Sequence, residues 1–312
     1  MDISALKERS KKTFKDVVQK MQETKTYNDD RMWNLTVDKA KNGAALIRFL
    51  PAPKIDGEEA VPFIKYWDHA FKGPGGQWYI ERSLTTLGLP DPVSESNKLL
   101  WDSGNPDNKS IVSGTPSMPG RKRRLHYVAN ILVIKDPAKP ENDGRIFLFR
   151  FGAKIYDKIK EAMSPEADEI NPKNPVDVFD FWAGANFYIK AKNVEGYQNY
   201  DSSEFKEPSV LFEDDDKLNE IWEQEYSLLE FIDKKNYKTY DELAERFNRV
   251  VGNVNGTPTK SEATVKYSKP KVEEPEEDDD NVLGMDFSSS PDTTAEDADS
   301  GIDYFKKLVD AD

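Results

Sequence analysis

From Trp33 onward the chain reads as short apolar segments broken by Gly, Pro and Asn, the texture of a β-rich domain. The pattern predicts strands at Ala44–Leu50, Val61–Tyr66, Gln77–Arg82, Tyr127–Lys135, Arg145–Phe151 and Asn186–Val194. Alternation splits the last of these cleanly: Phe187, Ile189 and Ala191 share one face, and Tyr188, Lys190 and Lys192 share the other. In Arg145–Phe151 the rings of Phe147, Phe149 and Phe151 fall together. Gly73-Pro74-Gly75-Gly76 lies between two predicted strands and closes a hairpin, because glycines supply the positive φ such turns require. Residues 83–120, rich in Ser, Pro, Asn and Gly, read as a loop-rich insertion anchored by Leu99, Leu100 and Trp101. Two helices follow, Asp214–Phe231 and Tyr240–Val251, the second opened by a Thr239/Glu242 capping box and stopped at Gly252.

The two ends differ from this core. Residues 2–25 carry seven Lys or Arg interleaved with Leu6, Phe14, Val17, Val18 and Met21, the pattern of a basic amphipathic helix or an arm that folds on binding. Beyond Gly252 lie a linker, five consecutive acids at Glu276–Asp280, Ser288–Ser290, and a short Ile302-Asp303-Tyr304-Phe305 patch. Such a segment buries too little to fold alone and is expected to be disordered. The organisation expected is a basic arm at 1–26, a core at 27–252 and a linker with an acidic tail at 253–312. The fold class is α+β, mainly β.

Charge sharpens this division. The net charge of the 312 residues is −14, yet Lys271–Asp312 alone carries −12 and Glu204–Arg246 carries −8, leaving +3 on residues 1–203. Acidity is confined to the C-terminal third, so the first two thirds can still meet an anion. The absence of cysteine excludes disulfides, cysteine-ligated zinc and thiol nucleophiles. No apolar run approaches the roughly 20 residues of a membrane span, and the charged start lacks the core of a signal peptide, so a cytoplasmic location is expected.

The sharpest local signal is Arg121-Lys122-Arg123-Arg124 leading into Leu125-His126-Tyr127. In an extended chain Arg123 and Tyr127 share one face, while Lys122, Arg124 and His126 share the other. A cation beside an aromatic suits single-stranded nucleic acid, where phosphate needs charge and an unstacked base needs a ring. An isolated run of this kind also reads as a solvated basic loop, and a single ring is more often core than platform. The Tyr188/Lys190/Lys192 face and the two tyrosines of Gly196-Tyr197-Gln198-Asn199-Tyr200 add to the nucleic-acid reading. Catalytic signatures, by contrast, are missing: no H-E-x-x-H, G-x-S-x-G, Walker or dinucleotide motif occurs, and the chain has two histidines. His69, with no Cys or second His beside it, reads as structural.

Longer stretches carry a resemblance. Leu46-Ile47-Arg48-Phe49-Leu50-Pro51, Arg123 through Tyr127-Val128-Ala129-Asn130-Ile131-Leu132-Val133, Lys135-Asp136-Pro137-Ala138, Pro140-Glu141-Asn142 with Gly144, Arg150-Phe151-Gly152 with Lys154–Ile159, and Gly184-Ala185-Asn186-Phe187 to Asn199-Tyr200-Asp201 resemble the T-even bacteriophage single-stranded DNA-binding (helix-destabilising) protein family. The resemblance implies an OB-fold core binding single strands with little sequence preference, without enzymatic activity, in phage replication, recombination and repair inside the infected bacterium. It places groove residues at Arg48, Arg123, Arg124, Tyr127, Phe149, Tyr197 and Tyr200, to which the residue reading adds Arg121, Lys122, Tyr188, Lys190 and Lys192. It assigns cooperative protomer contact to the arm through Arg9-Ser10-Lys11-Lys12-Thr13, and recruitment of phage replication and recombination proteins to the acidic tail.

The chain departs from the family at several positions. Phe149 stands where relatives carry Tyr, and Val128 where they carry Trp. Relatives hold zinc with one His and three Cys, whereas here His69 remains while Ser83, Val93 and Ser96 occupy the cysteine places. No structural zinc is expected, with Trp78, Leu84, Leu87 and Leu99–Trp101 holding the region instead. Two other functions stay open on sequence alone: an RNA-binding translational regulator using the same groove, and, with less support, a magnesium nuclease.

Overall fold

In chain order the strands are β1 (Met32–Trp33), β2 (Gly43–Phe49), β3 (Phe63–Lys72), β4 (Trp78–Arg82), β5 (Gly114–Thr115), β6 (Met118–Pro119), β7 (Arg124–Lys135), β8 (Ile146–Phe151), β9 (Ala185–Val194), β10 (Tyr197–Asn199) and β11 (Glu204–Pro208). The helices are α1 (Pro92–Asp102), α2 (Pro106–Ser113), α3 (Ala153–Met163), α4 (Asp215–Gln224) and α5 (Tyr240–Val251). This computed structural model describes residues 29–252 apart from 117, 167–172 and 195, so the expectations for the arm at 1–26, with Arg9, Ser10, Lys11, Lys12 and Thr13, and for the tail at 253–312 lie outside the described residues. Among the described residues the fold is mixed α and β, dominated by one nine-stranded sheet.

Strand β7 organises that sheet. Its first half pairs antiparallel with β3 (Asp68 opposite Arg124), its last residues pair with β2 (Phe49 opposite Ile131), and its middle pairs with β8 along the other edge. Strand β2 continues into β9, which carries β10 and β11. Both faces of β7 are covered as well, each by a separate apolar cluster. Tyr127, Ala129, Ile131 and Val133 join the main core with Phe49, Phe149, Phe151, Phe187 and the α3 residues Ile155 and Ile159. On the opposite face, Val128 packs with Ile64, Tyr66, Leu148 and Phe231, and Leu132 with Leu50, Phe181, Leu218 and Ile221. Asn130, the one polar break in this apolar run, is fully buried and matched: its Nδ2 donates to the Tyr226 carbonyl (2.8 Å) and its Oδ1 accepts from the Tyr226 amide (3.0 Å).

That pairing explains a correction. The helix expected over Asp214–Phe231 ends at Gln224, because Asn130 occupies both backbone groups of Tyr226 while Asp56 accepts from the amides of Leu228 (2.7 Å) and Leu229 (3.3 Å). A 3-10 turn at Leu229–Phe231 finishes the segment.

The insertion at 83–120 is also corrected: it contains two helices. Asp91 caps α1 through the amides of Val93 and Ser94, Asn105 caps α2 through the amide of Asp107, and Pro92 and Pro106 each fill a first helical position. Leu84 and Val93 pack with Phe71 and Tyr79 of the β3–β4 hairpin and with Leu243, Phe247, Val250 and Val251 of α5. Leu99 and Trp101, expected to anchor this region, are exposed instead. The hairpin turn falls where expected, with the Gly73 amide donating to the Gln77 carbonyl (2.8 Å). Gly73 has a second role, since a Cβ there would stand 1.9 Å from the Val250 carbonyl oxygen, and only glycine lets α5 sit this close. Among the described residues no helix is long and apolar enough to cross a membrane.

Candidate nucleic-acid interface

Two surfaces combine cations with rings. The first is the outer face of β9. Its alternation is as expected: Phe187, Ile189 and Ala191 are buried, while Tyr188 and Lys190 are partly exposed and Lys192 is exposed. Two ammonium groups approach Tyr188, Lys190 Nζ at 6.0 Å and Lys206 Nζ at 5.0 Å from its ring centre, the latter also paired with Glu204. Sequence reasoning missed Lys206, because the alternately charged segment Glu204-Phe205-Lys206-Glu207 gives no strand signal, although it pairs with β9 as β11. A shallow depression of about 500 Å³, lined by Asn42, Gly43, Ala44, Lys190, Ala191, Lys192 and Asn193, continues this face. Tyr197, at the start of β10, is 55% exposed.

The second surface is the basic run. Arg123 places its guanidinium 4.2 Å from the centre of the Trp67 ring, and Lys122 Nζ lies 5.6 Å from Trp101. Lys109 Nζ approaches the same indole at 5.5 Å. Arg121 is less available, because its guanidinium lies over Phe71 (5.5 Å) and Phe247 (5.6 Å) and burial depresses its pKa. Arg124 is buried and bound by Asp68 through two contacts, Nε to Oδ1 at 2.8 Å and Nη2 to Oδ2 at 2.9 Å. Burial alone would raise the Asp68 carboxyl, but His126, whose Nε2 lies 3.0 Å from Oδ1, and Arg124 hold it well below the usual carboxylate range. Burial pushes the His126 imidazole the other way, down, against the pull of Asp68. The run thus has three half-buried members and one buried member, and extended alternation does not sort them.

The family profile described as gp32 DNA binding protein like matches residues 41–251. The chain belongs to this family. The single-stranded DNA-binding protein of Enterobacteria phage T4 is 40% identical over 232 residues, 72% of this chain and 71% of that protein. Its counterpart from Enterobacteria phage T2 is 39% identical over 230 residues, with the same coverage. The single-stranded DNA-binding protein of Escherichia phage SV14 is 43% identical over 85 residues, 26% of this chain and 69% of its own length.

Within this gp32-like domain, several residues expected in the groove lie inside the protein. Arg48 is fully buried, and its Nη2 donates to the carbonyls of Asp180 (2.8 Å), Ser209 (3.0 Å) and Phe181 (3.4 Å). Its place depends on Gly184, where a Cβ would stand 2.8 Å from the guanidinium and 2.3 Å from the Asp180 carbonyl. Tyr127 is 7% exposed and stacks in parallel on Tyr156 at 4.1 Å. Phe149 is core, edge-on to Trp33 at 5.4 Å. Tyr200 is buried, which pushes its hydroxyl up to about 12, and that hydroxyl donates to Gln198 at 3.3 Å. With Arg124, these residues support the surface and are not displayed on it. The Lys135–Gly144 stretch is equally structural: buried Asp136 accepts from the Trp33 indole (3.1 Å), Asn142 Nδ2 (3.1 Å) and the amides of Ala138 and Lys139, tying the β7–β8 connection together.

The residues at the expected cysteine places stand differently around His69. Val93 belongs to the apolar cluster with Phe71 and Tyr79. The side chains that meet the ring are Asp91, whose Oδ1 lies 3.2 Å from Nε2, and Ser94, whose Oγ lies 3.5 Å away. Ser83 joins them by donating to Asp91 Oδ2 at 3.0 Å. Burial would raise the Asp91 carboxyl, yet His69 and the amides of Ser94 and Leu84 hold it at about 2. One imidazole, one carboxylate and two hydroxyls, already committed to each other, are a poor donor set for zinc, which takes thiolate, imidazole and carboxylate. The residues present do not fit a structural zinc.

Proposed function

We propose that this protein binds single-stranded DNA with little sequence preference and coats exposed strands during phage replication, recombination and repair, without catalysing a reaction. The observation that carries the reading is the β9 face, where Lys190 and Lys206 both approach the Tyr188 ring beside Lys192, in a chain whose T4 and T2 relatives are single-stranded DNA-binding proteins. A ring flanked by ammonium groups offers stacking and charge at one spacing, which a splayed strand can use and a closed duplex cannot. Lys122 and Arg123 on their tryptophans extend the same chemistry. We assign backbone contacts to Lys122, Arg123, Lys190, Lys192 and Lys206, and base stacking to Tyr188 and Tyr197.

The core is read as an OB-fold, and the 253–312 segment as a disordered acidic tail that recruits other replication and recombination proteins and competes with DNA for the basic surface. The 1–26 arm, through Arg9–Thr13, gives cooperative contact between neighbouring protomers. The region around His69 is held without zinc by the Ser83–Asp91–His69 hydrogen bonds and the apolar cluster of Leu84 and Val93.

A fluorescence titration of the full chain with poly(dT) and with duplex DNA, across a salt series and with EDTA present, tests these assignments. Tight, cooperative, salt-sensitive binding to poly(dT) alone, unchanged by the chelator, is expected. The slope should steepen by roughly 0.7 log units per phosphate neutralised. Equal or absent binding to the two DNAs overturns the function, and loss of binding in EDTA overturns the zinc-free reading alone.

A further inference from the structure

The basic run is tied down at both ends by neighbouring residues of one strand. Asp68 and His69 are adjacent on β3, so their side chains leave on opposite faces of the sheet. Asp68 takes the guanidinium of Arg124, the last residue of the run, through two contacts of 2.8 and 2.9 Å. His69 takes the first residue, its Nδ1 donating to the Arg121 carbonyl at 3.0 Å, and Asn97 of α1 donates to the same oxygen at 2.8 Å. The backbone between is held as well: the amides of Arg121 and Lys122 donate to the carbonyls of Ile111 (3.2 Å) and Val112 (3.1 Å), in the last turn of α2. His69 is itself fixed by Asp91, the cap of α1.

Four adjacent cations repel, and left alone they would spread over many conformations. Ordering a mobile cationic segment on binding costs conformational entropy, and a backbone pinned beforehand has already met that cost. We infer that Asp68, His69, Asp91 and Asn97 are positioning residues that clamp the ends of the Arg121–Arg124 run and present Lys122 and Arg123 to the phosphates of a bound strand in fixed register. This rests on the proposed binding of single-stranded DNA, and it gives the helices of the 83–120 region a role in that binding without contact with the ligand.

A double-mutant cycle separates this from a purely structural role. The variants Asn97→Ala, Arg123→Ala and the pair are titrated with oligo(dT) in the full-length protein, at a temperature well below each variant's melting transition. Arg123→Ala alone should weaken binding about 5- to 10-fold and lower the salt slope by roughly 0.7. In the Asn97→Ala background, which should itself lose several-fold in affinity and part of the slope, Arg123→Ala should change affinity by less than about twofold, because residues acting through one another are not additive. Additive effects, or an Asn97→Ala salt slope equal to that of the unmodified protein, overturn the clamp. His69→Gln repeats the cycle from the other donor to the same carbonyl. Failure of the unmodified protein to bind oligo(dT) refutes the functional reading and is distinct from either result.

Discussion

The outer face of β9 and the lead-in to β7 carry the same residue types, tyrosine beside lysine or arginine, and the fold treats them in opposite ways. On β9 the Tyr188, Lys190 and Lys192 face looks outward because Phe187, Ile189 and Ala191 supply the inward one. On β7 there is no outward face to have: Tyr127 enters the main core, and Arg124 and His126 enter a buried polar cluster around Asp68. Period-two alternation shows which residues share a face, but it says which face is wet only when one of the two is plainly apolar. A strand sandwiched between two cores can carry arginine, histidine and tyrosine and still be interior when a buried counter-charge, here Asp68, lies against its cation.

The hardest test of this contrast is Asp68→Ala, which strands the buried Arg124. A loss of about 3–5 kcal/mol in urea denaturation is expected, whereas Lys192→Ala on the β9 face should fall within about 0.5 kcal/mol of the unmodified protein. Phe149→Ala should cost about 3–5 kcal/mol by opening a cavity in the core, and any weakening of DNA binding should track unfolding. A stable Phe149→Ala protein with a specific binding defect would break the distinction drawn here. Tyr188→Ala should leave the urea midpoint in place and weaken binding to oligo(dT) by about 1–3 kcal/mol.

Glu225 offers a further probe of the buried side. Both its oxygens lack a hydrogen-bond partner among the described residues, and burial, with Asp56 nearby, pushes its carboxyl up to about 9. A folded-state pKa above the unfolded one means that the native protein holds the extra proton. This stability is complete below the unfolded value and is lost as pH rises towards 9, at up to about 1.4 kcal/mol per pH unit. Glu225→Gln should therefore flatten the fall in melting temperature between pH 6 and pH 9. An unchanged pH profile would show the group to be hydrated. The smallest effect is expected from Lys206→Gln, a decrease of roughly 0.7 in the salt slope with little change in stability.

Much of the frame was legible in the chain. The β3–β4 turn, the C-terminal helix with its capping box, and the strands at β2, β8 and β9 follow from turn glycines, a local cap and alternation. What was missed has identifiable causes. Asp91-Pro92 and Asn105-Pro106 were read as loop residues, although Asx followed by Pro is also how a helix begins. Helix α3 went unread despite Ile155 and Ile159 at helical spacing. Strand β3 runs on to Lys72, beyond the expected Tyr66, and Trp67 in that extension is the ring that receives Arg123. In the binding surface, the resemblance names residues without their exposure, and four that it places in the groove, Arg48, Tyr127, Phe149 and Tyr200, are buried in the fold. Nothing local in the sequence marks Asp68 or Asn97, whose partners are distant along the chain.

The close seat of α5 on Gly73 bears on how the protein comes into being. Phe71 and Tyr79 are covered in part by Leu84 and Val93, which follow directly, and for the rest by Leu243, Phe247 and Val250 of α5. On a ribosome adding about 5–20 residues per second, the β3–β4 hairpin waits on the order of ten seconds or more for that remaining cover to be synthesised. The nascent chain therefore carries a half-covered hairpin until α5 has been made, and the cluster closes only late in translation.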